Sequence, residues 1–283
     1  EGAWQNVIND FKKGCLKQFY SSDIRPPLDN LAFPRRDLVK GKKYLTKNII
    51  QTTRGCPFSC TFCTVTNFFG NTYRYRPIKD VISEVESLDG NFIVFIDDNI
   101  LANPKRAKEL FTALIPYKKR WVSQSSINLA KDKEALALAE KSGCIGMFIG
   151  FESISQESLQ AIKKSTNQVS TMRDSIKRIH DHGILIEGAF IFGLEEDNRD
   201  SLLRTLDFAM EMRFSAVNFF VLTPFPGTQI REQIEKDGRI IEKDWSKYNN
   251  FTVVFKPKNM TPKELQDMAI FAKQQFYSYP SII

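Results

Sequence analysis

From residue 47 onward the chain alternates between two patterns: short runs of β-branched and aromatic residues, and longer stretches in which apolar side chains return every three or four positions. The runs predict strands at 48–53, 92–97, 121–125, 145–151, 185–192 and 216–222. The stretches between them predict helices at 78–88, 104–115, 132–141, 171–180 and 200–212, with a shorter one at 229–236 after the last strand. Pro104 suits the first helical position, where its missing N–H is not needed. Six β-then-α units in succession imply a parallel sheet with right-handed crossovers. A partial or complete (β/α) barrel and a doubly wound open sheet both meet this pattern, and both place their chemistry at the carboxyl ends of the strands.

Outside these units the pattern changes. Near the start, Trp4, Val7, Ile8 and Phe11 fall on one helical face, Gly14 follows as a stop, and residues 16–20 read as a short strand. That unit is too small to bury its own apolar stripe. Residues 21–34, with Pro26-Pro27 and a further proline, read as an extended linker. After Gly238 a strand is expected at 251–255 and a terminal helix at 262–276, capped by Thr261 with Glu264 three residues on. The expected division is therefore 1–45 for an N-terminal helix and linker, 46–240 for the core, and 241–283 for a C-terminal extension.

Composition narrows the classes. With 283 residues, 42% hydrophobic and 23 phenylalanines among them, there is ample side chain for a large core, which excludes disordered and collagen-like readings. No run reaches the roughly 18 apolar residues that a membrane helix needs. The net charge of +7 is spread over scattered basic pairs, from Lys12-Lys13 to Lys163-Lys164, which read as solvated faces, so nucleic acid is not an expected partner. The chain opens Glu-Gly-Ala-Trp with no secretory signature, so a cytoplasmic protein, cut from a longer chain, is the expectation. Its thiols are then reduced by default.

Five cysteines are too few and too uneven for a disulfide scaffold: Cys56, Cys60 and Cys63 crowd together while Cys15 and Cys144 stand apart. The crowded three follow the first predicted strand, on the first βα loop, and can turn toward one centre. Soft thiolates select zinc, copper(I) or an iron-sulfur cluster. Three is the informative number, because structural zinc and ordinary 4Fe-4S clusters take four protein ligands. A cluster held by three leaves one iron open to substrate. Cys144 precedes the fourth strand, at its amino end, and is not expected to complete the set.

The string Cys56-x-x-x-Cys60-x-Phe62-Cys63 on the first βα loop of a six-unit parallel fold resembles the radical S-adenosylmethionine (SAM) superfamily, over about residues 45–240. The resemblance implies an α/β fold, a partial (β/α)6 TIM-like barrel with parallel strands. It implies that Cys56, Cys60 and Cys63 hold a 4Fe-4S cluster whose fourth iron is chelated by SAM. Reductive cleavage of SAM then yields a 5′-deoxyadenosyl radical that abstracts a substrate hydrogen, with flavodoxin or ferredoxin as reductant.

Carried over by position, Phe62 lies by the cluster and adenine, and Asp97 and Asp98 contact the amino group of SAM. Ser125 and Ser153 reach its carboxylate and Glu152 the ribose, with a basic residue from the Lys163, Lys164, Asn167 stretch also directed at the carboxylate. Phe190, Ile191 and Leu222 border the adenine. Three of these, Asp97, Asp98 and Glu152, have independent physical support: adjacent carboxylates after an apolar strand are costly as packing, and Gly150 before Glu152 lets a ligand approach.

The Thr-Arg-Gly run before Cys56, the Asp97-Asp98-Asn99 segment, the Phe151-Glu152-Ser153 run and the turn at 223–228 resemble the group that carries an N-terminal cobalamin-binding domain, and residues 1–20 resemble the end of that domain. No Asp-x-His-x-x-Gly signature is present around His180 and His182, so cobalamin is expected only with an upstream domain. The implied enzyme, expected to be a transferase, acts on an unreactive carbon of a small molecule, by methylation or rearrangement. Two other readings are a methylthiotransferase acting on tRNA or protein, which needs cysteines and an RNA-binding barrel not visible here, and a non-catalytic iron-sulfur electron-transfer or sensing protein.

Overall fold

A computed structural model of the chain describes residues 2–39, 41, 43–44 and 46–279. Helix α1 (Trp4–Lys12) stands at the start, and strand β1 (Ile49–Ile50) begins the core. Then come β2 (Thr53–Arg54), α2 (Thr64–Phe69), β3 (Arg74–Tyr75), α3 (Ile78–Glu86), β4 (Phe92–Phe95), α4 (Pro104–Leu114), β5 (Arg120–Ser125) and α5 (Lys133–Lys141). The second half holds β6 (Cys144–Glu152), α6 (Gln156–Ala161), α7 (Val169–Asp181), β7 (Leu185–Phe192), α8 (Arg199–Glu211), β8 (Ala216–Val221), α9 (Gln229–Lys236) and α10 (Pro262–Phe276).

Six strands pair in the order β1-β4-β5-β6-β7-β8, every pair parallel. Each new strand joins the same growing edge. A doubly wound sheet reverses its order at a switch point; a sequential order is the winding of a barrel. Among the described residues β8 does not pair with β1, so the wall is a partial (β/α)6 barrel, as the resemblance implies and the sequence pattern allows.

One face of this wall is sealed by helices. Ile93, Phe95, Trp121, Phe151, Phe190 and Phe192 are almost wholly buried on it. Trp121 packs against Phe95 and Phe111 at 5.6 and 5.2 Å and donates its indole N–H to the Ser142 carbonyl at 3.1 Å. Phe190 lies among Phe151, Phe214 and Phe219 at ring distances of 5.5 to 6.1 Å. Rings of this size in edge and offset contact fill a core efficiently. The concave face is different: Val94, Ile96, Val122, Phe148 and Leu185 line a cavity of about 500 Å³, and Ile96 and Leu185 remain 46% and 57% exposed.

Three expected elements differ, two of them for a local reason. The strand expected at 48–53 divides, because the Asp97 carboxylate accepts the backbone N–H groups of Thr52 (2.9 Å) and Thr53 and draws the chain off the parallel ladder. Beyond the break, β2 turns to pair antiparallel with β3, with Thr53 opposite Tyr75 and Arg54 opposite Arg74. The strand expected at 251–255 is a single bridge from Ile240 to Phe255, since the Asn249 side chain takes the N–H groups of Phe251 and Thr252 at 3.0 and 3.1 Å. Residues 16–20 form no strand. The expected cap of α10 is present: Thr261 accepts from Glu264 N–H at 3.2 Å, and Glu264 accepts the Thr261 N–H at 2.7 Å. α1 buries none of its residues, and Trp4 and Phe11 are about 70% exposed.

The outer margin of β8 is met by the Tyr277 hydroxyl and a backbone carbonyl rather than by a further strand. The Tyr277 hydroxyl accepts the Val217 N–H at 2.9 Å and donates to the Val217 carbonyl at 3.0 Å, and the Val221 N–H reaches the Asn250 carbonyl at 2.8 Å. Among the described residues no helix is long and apolar enough to cross a membrane.

Candidate active site

The antiparallel clasp of β2 and β3 closes residues 55–73 into a loop over the carboxyl ends of the strands. Gly55 opens it at φ +91°, and a Cβ there would overlap the Thr72 carbonyl, so both the backbone and the space demand glycine. Asp98 fixes this start by accepting the Gly55 N–H at 3.2 Å. Within the loop the Cys63 N–H bonds to the Cys60 carbonyl at 3.1 Å, and Cys63 is the extended N-cap of α2. Thr61 ties the loop to both neighbours: its N–H donates to Ile162 O at 3.0 Å, and its carbonyl accepts from Ile230 N–H at 3.1 Å.

Cys56, Cys60 and Cys63 then line one cavity of about 190 Å³ together with Phe62, Asp98, Asn99, Gln124, Ser125, Glu152 and Lys164. Burial raises all three thiols above their usual pKa, Cys60 to about 11, while the Lys164 ammonium pulls each of them back. Among the described residues no three Cys, His, Asp or Glu side chains converge on a single ion position. The three thiols share one cavity, and soft donors of this kind suit an iron-sulfur cluster. Cys144 is buried at the start of β6 and Cys15 is exposed on the N-terminal segment; neither lines the cavity.

Facing the thiols, the end of β6 is bent. The β6–β7 register shifts between Gly150 and Glu152, and Glu152 adopts φ +65°, a left-handed conformation that ordinarily disfavours a side chain by about 1–2 kcal/mol. The bend buries Glu152 against Lys164, whose Nζ donates to Oε1 at 2.6 Å. Burial works against the Lys164 ammonium, but Glu152 and Cys60 more than offset it, so its pKa lies above the ordinary lysine value. A Cβ on Gly150 would overlap Glu152 Oε1 and stand 3.0 Å from Lys164 Nζ, so the pair occupies the space that this glycine leaves. Asn167 holds the bend from behind, donating to the carbonyls of Gly150 and Phe151 at 3.0 and 2.8 Å.

A second cavity of about 250 Å³ shares Phe62, Cys63, Phe148, Gly150 and Glu152 with the first and extends past Ala189, Ile191, Phe220, Leu222 and Thr223. Of the expected contacts, Phe62 lines both cavities, Asp98 and Ser125 the first, Ile191 and Leu222 the second, and Glu152 both. The Ser125 hydroxyl donates to the Ser126 carbonyl at 3.1 Å. Three expected residues lie elsewhere. Asp97 is fully buried, with Oδ1 accepting from Thr52 and Thr53; burial pushes its pKa up to about 6 in spite of those donors. Phe190 points to the helix side of β7, because successive strand residues face opposite ways; Ala189 and Ile191 take the cavity side. Ser153 accepts the Ser155 N–H at 3.1 Å and starts the turn before α6.

Of the basic stretch, Lys164 enters the cavity, while Lys163 donates to Gln229 at 2.9 Å. Sequence reasoning missed Gln124 and Phe148; a polar residue within an apolar strand and the alternation that puts Phe148 on the face of Gly150 were the available signals.

A family model described as Radical SAM superfamily matches residues 50–209. Bacteriochlorophyllide d C-12(1)-methyltransferase of Chlorobaculum tepidum is 32% identical over all of this chain and 64% of its own length. Hopanoid C-2 methylase of Rhodopseudomonas palustris is 24% identical over 84% of the chain and 47% of its own length. The chain thus spans between about half and two thirds of these relatives. Among solved structures, the radical S-adenosylmethionine methyltransferase TsrM from Kitasatospora setae, with tryptophan and a SAM analogue bound, is 19% identical with a TM-score of 0.64 over 83% of this chain and 47% of that one. That likeness is one of fold.

Proposed function

The chain belongs to the radical SAM superfamily, and from that premise we propose that it is the catalytic core of an enzyme that transfers a methyl group to an unreactive carbon of a small molecule. The observation that carries the reading is the single cavity in which three thiols face a Glu152–Lys164 pair. A 4Fe-4S cluster held by Cys56, Cys60 and Cys63 would supply the one-electron reduction that cleaves SAM and so starts hydrogen abstraction from the substrate.

The chain's own residues do the rest. Cys56, Cys60 and Cys63 would hold the cluster, and Asp98 sets their loop by fixing Gly55. Phe62, Ile191 and Leu222 offer an apolar wall in the adjoining cavity for a flat aromatic group such as adenine, and Glu152, Ser125 and Asp98 offer polar atoms for the remainder of SAM.

Methylation rather than rearrangement is favoured by relatives whose names specify methyl transfer to carbon. The apolar concave face, joined to the cysteine cavity at Gln124 and Phe148, suits a substrate with a hydrocarbon body. Cobalamin is proposed as the methyl carrier, held by chain outside this stretch: His180 and His182 lie on and just beyond α7, and neither lines the cysteine cavity. A flavodoxin or ferredoxin is the proposed reductant.

The test is anaerobic reconstitution with iron and sulfide, reduction with dithionite and assay for 5′-deoxyadenosine. Cleavage that is lost with the cluster in Cys60→Ala supports the proposal; a fully loaded cluster without cleavage would make the chain an electron-transfer protein. Incubation of the upstream-extended chain with hydroxocobalamin tests the methyl carrier, and failure to retain it removes cobalamin from the scheme.

A further inference from the structure

Lys164 is a cation in an unusual place. Its side chain is 15% exposed and that of Glu152 8%, and the two meet at 2.6 Å inside the cavity that holds all three cluster-binding thiols. Removing such charges from water is expensive, and a buried ion pair is often no more stabilising than apolar packing of the same volume. Here the fold adds to the expense: Glu152 is held at positive φ, Gly150 is stripped of its Cβ to admit the pair, and Asn167 uses both its amide hydrogens to brace the bend. Stability does not account for this arrangement.

Both members of the pair line the cavity of the three thiols, Lys164 bringing a positive charge and Glu152 a negative one, so the two act on the sulfurs in opposite senses. Charge, burial and hydrogen bonding around the sulfurs are what set the reduction potential of an iron-sulfur cluster. A reduced cluster carries one more negative charge than an oxidised one, and in a low-dielectric cavity a nearby cation favours it strongly.

Resting on the reading of the cavity as a cluster site, we propose that Lys164, held in place by Glu152, is the buried cation that raises the reduction potential of the cluster into the range of its reductant. Lys164 is a positioning residue for charge and need not touch the reacting atoms. Because the two members of the pair act with opposite sign, their removal has opposite effects, a signature that mere loss of structure does not produce.

The experiment is a potentiometric titration of the reconstituted protein without SAM, followed by the electron paramagnetic resonance signal of the reduced cluster. Lys164→Met shifts the midpoint to more negative potential, Glu152→Gln shifts it to more positive potential, and Lys164→Arg returns it close to wild type. Iron content is measured on each variant. Midpoints at the wild-type value in both variants, or shifts of the same sign, overturn the proposal. If Lys164→Met does not load, the sign of the Glu152→Gln shift alone decides it, a positive shift supporting it and any other result overturning it. Failure of the wild-type protein to load a cluster is a different result: it removes the cluster reading itself.

Discussion

A single hydrogen atom, the side chain of Gly150, sets how closely Glu152 and Lys164 can approach the end of β6. Gly150→Ala keeps an allowed backbone, since no positive φ is required there, but places a methyl group in the carboxylate. The pair must move by a sizeable fraction of an ångström. Misplacement of about 1 Å in a catalytic arrangement lowers rates by about a hundredfold, so we expect SAM cleavage to fall at least tenfold while the melting temperature changes by only a few degrees; equal losses in both would mean the glycine serves folding. Asp97 contributes differently. The unfolded chain releases its proton near the ordinary 3.8, the folded chain near 6. Stability is therefore lost as pH rises between those values, by about 3 kcal/mol in all, and no further above them. In Asp97→Asn that dependence disappears: the unfolding free energy of the variant minus that of wild type, from urea titrations, should climb between pH 4 and 6 and then level off.

At the scale of elements, the clasp of β2 and β3 decides whether three cysteines become a site. Gly55→Ala forces both a disfavoured φ and an overlap with Thr72 at the base of the loop. Iron bound on reconstitution should drop several-fold with the far-ultraviolet circular dichroism unchanged, because the barrel does not depend on this loop. The alternation of parallel strands and helices was legible in the sequence because these elements are long enough to show a period, and the cysteines because their spacing needs no fold to be recognised. The clasp was not, since two residues a side carry no period. Nor does a strand declare which of its faces is inward, so Phe190 and Ile191 were equivalent in the sequence and only one reaches the cavity. Lys163 and Lys164 were likewise indistinguishable on a loop, until the left-handed turn of Lys163 sent them in different directions. Asp97 was legible as a polar group in an apolar setting, but its role, splitting the first strand from the cysteine loop, depends on donors 44 and 45 residues away.

For the molecule as a whole, the apolar concave face is the feature that composition alone does not reveal. If it is a binding surface, charging it should empty it without disturbing the helix-covered core: Ile96→Glu with Val122→Glu should reduce binding of the apolar dye anilinonaphthalene sulfonate several-fold, with little change in melting temperature. Undiminished dye binding would place the apolar surface elsewhere.

An incomplete barrel has another consequence, for life among other copies of itself. A closed barrel has no edges, whereas an open sheet ends in rows of N–H and C=O groups that invite a neighbouring chain to add a strand. At one margin β1 is two residues long and offers almost no ladder to extend. At the other, Tyr277 occupies both hydrogen-bonding groups of Val217 with one hydroxyl, and Asn250 takes the N–H of Val221. The terminal helix thus does more than add to the core: its C-terminal end delivers a tyrosine that occupies part of the open seam, leaving fewer free groups there for a neighbouring chain to pair with.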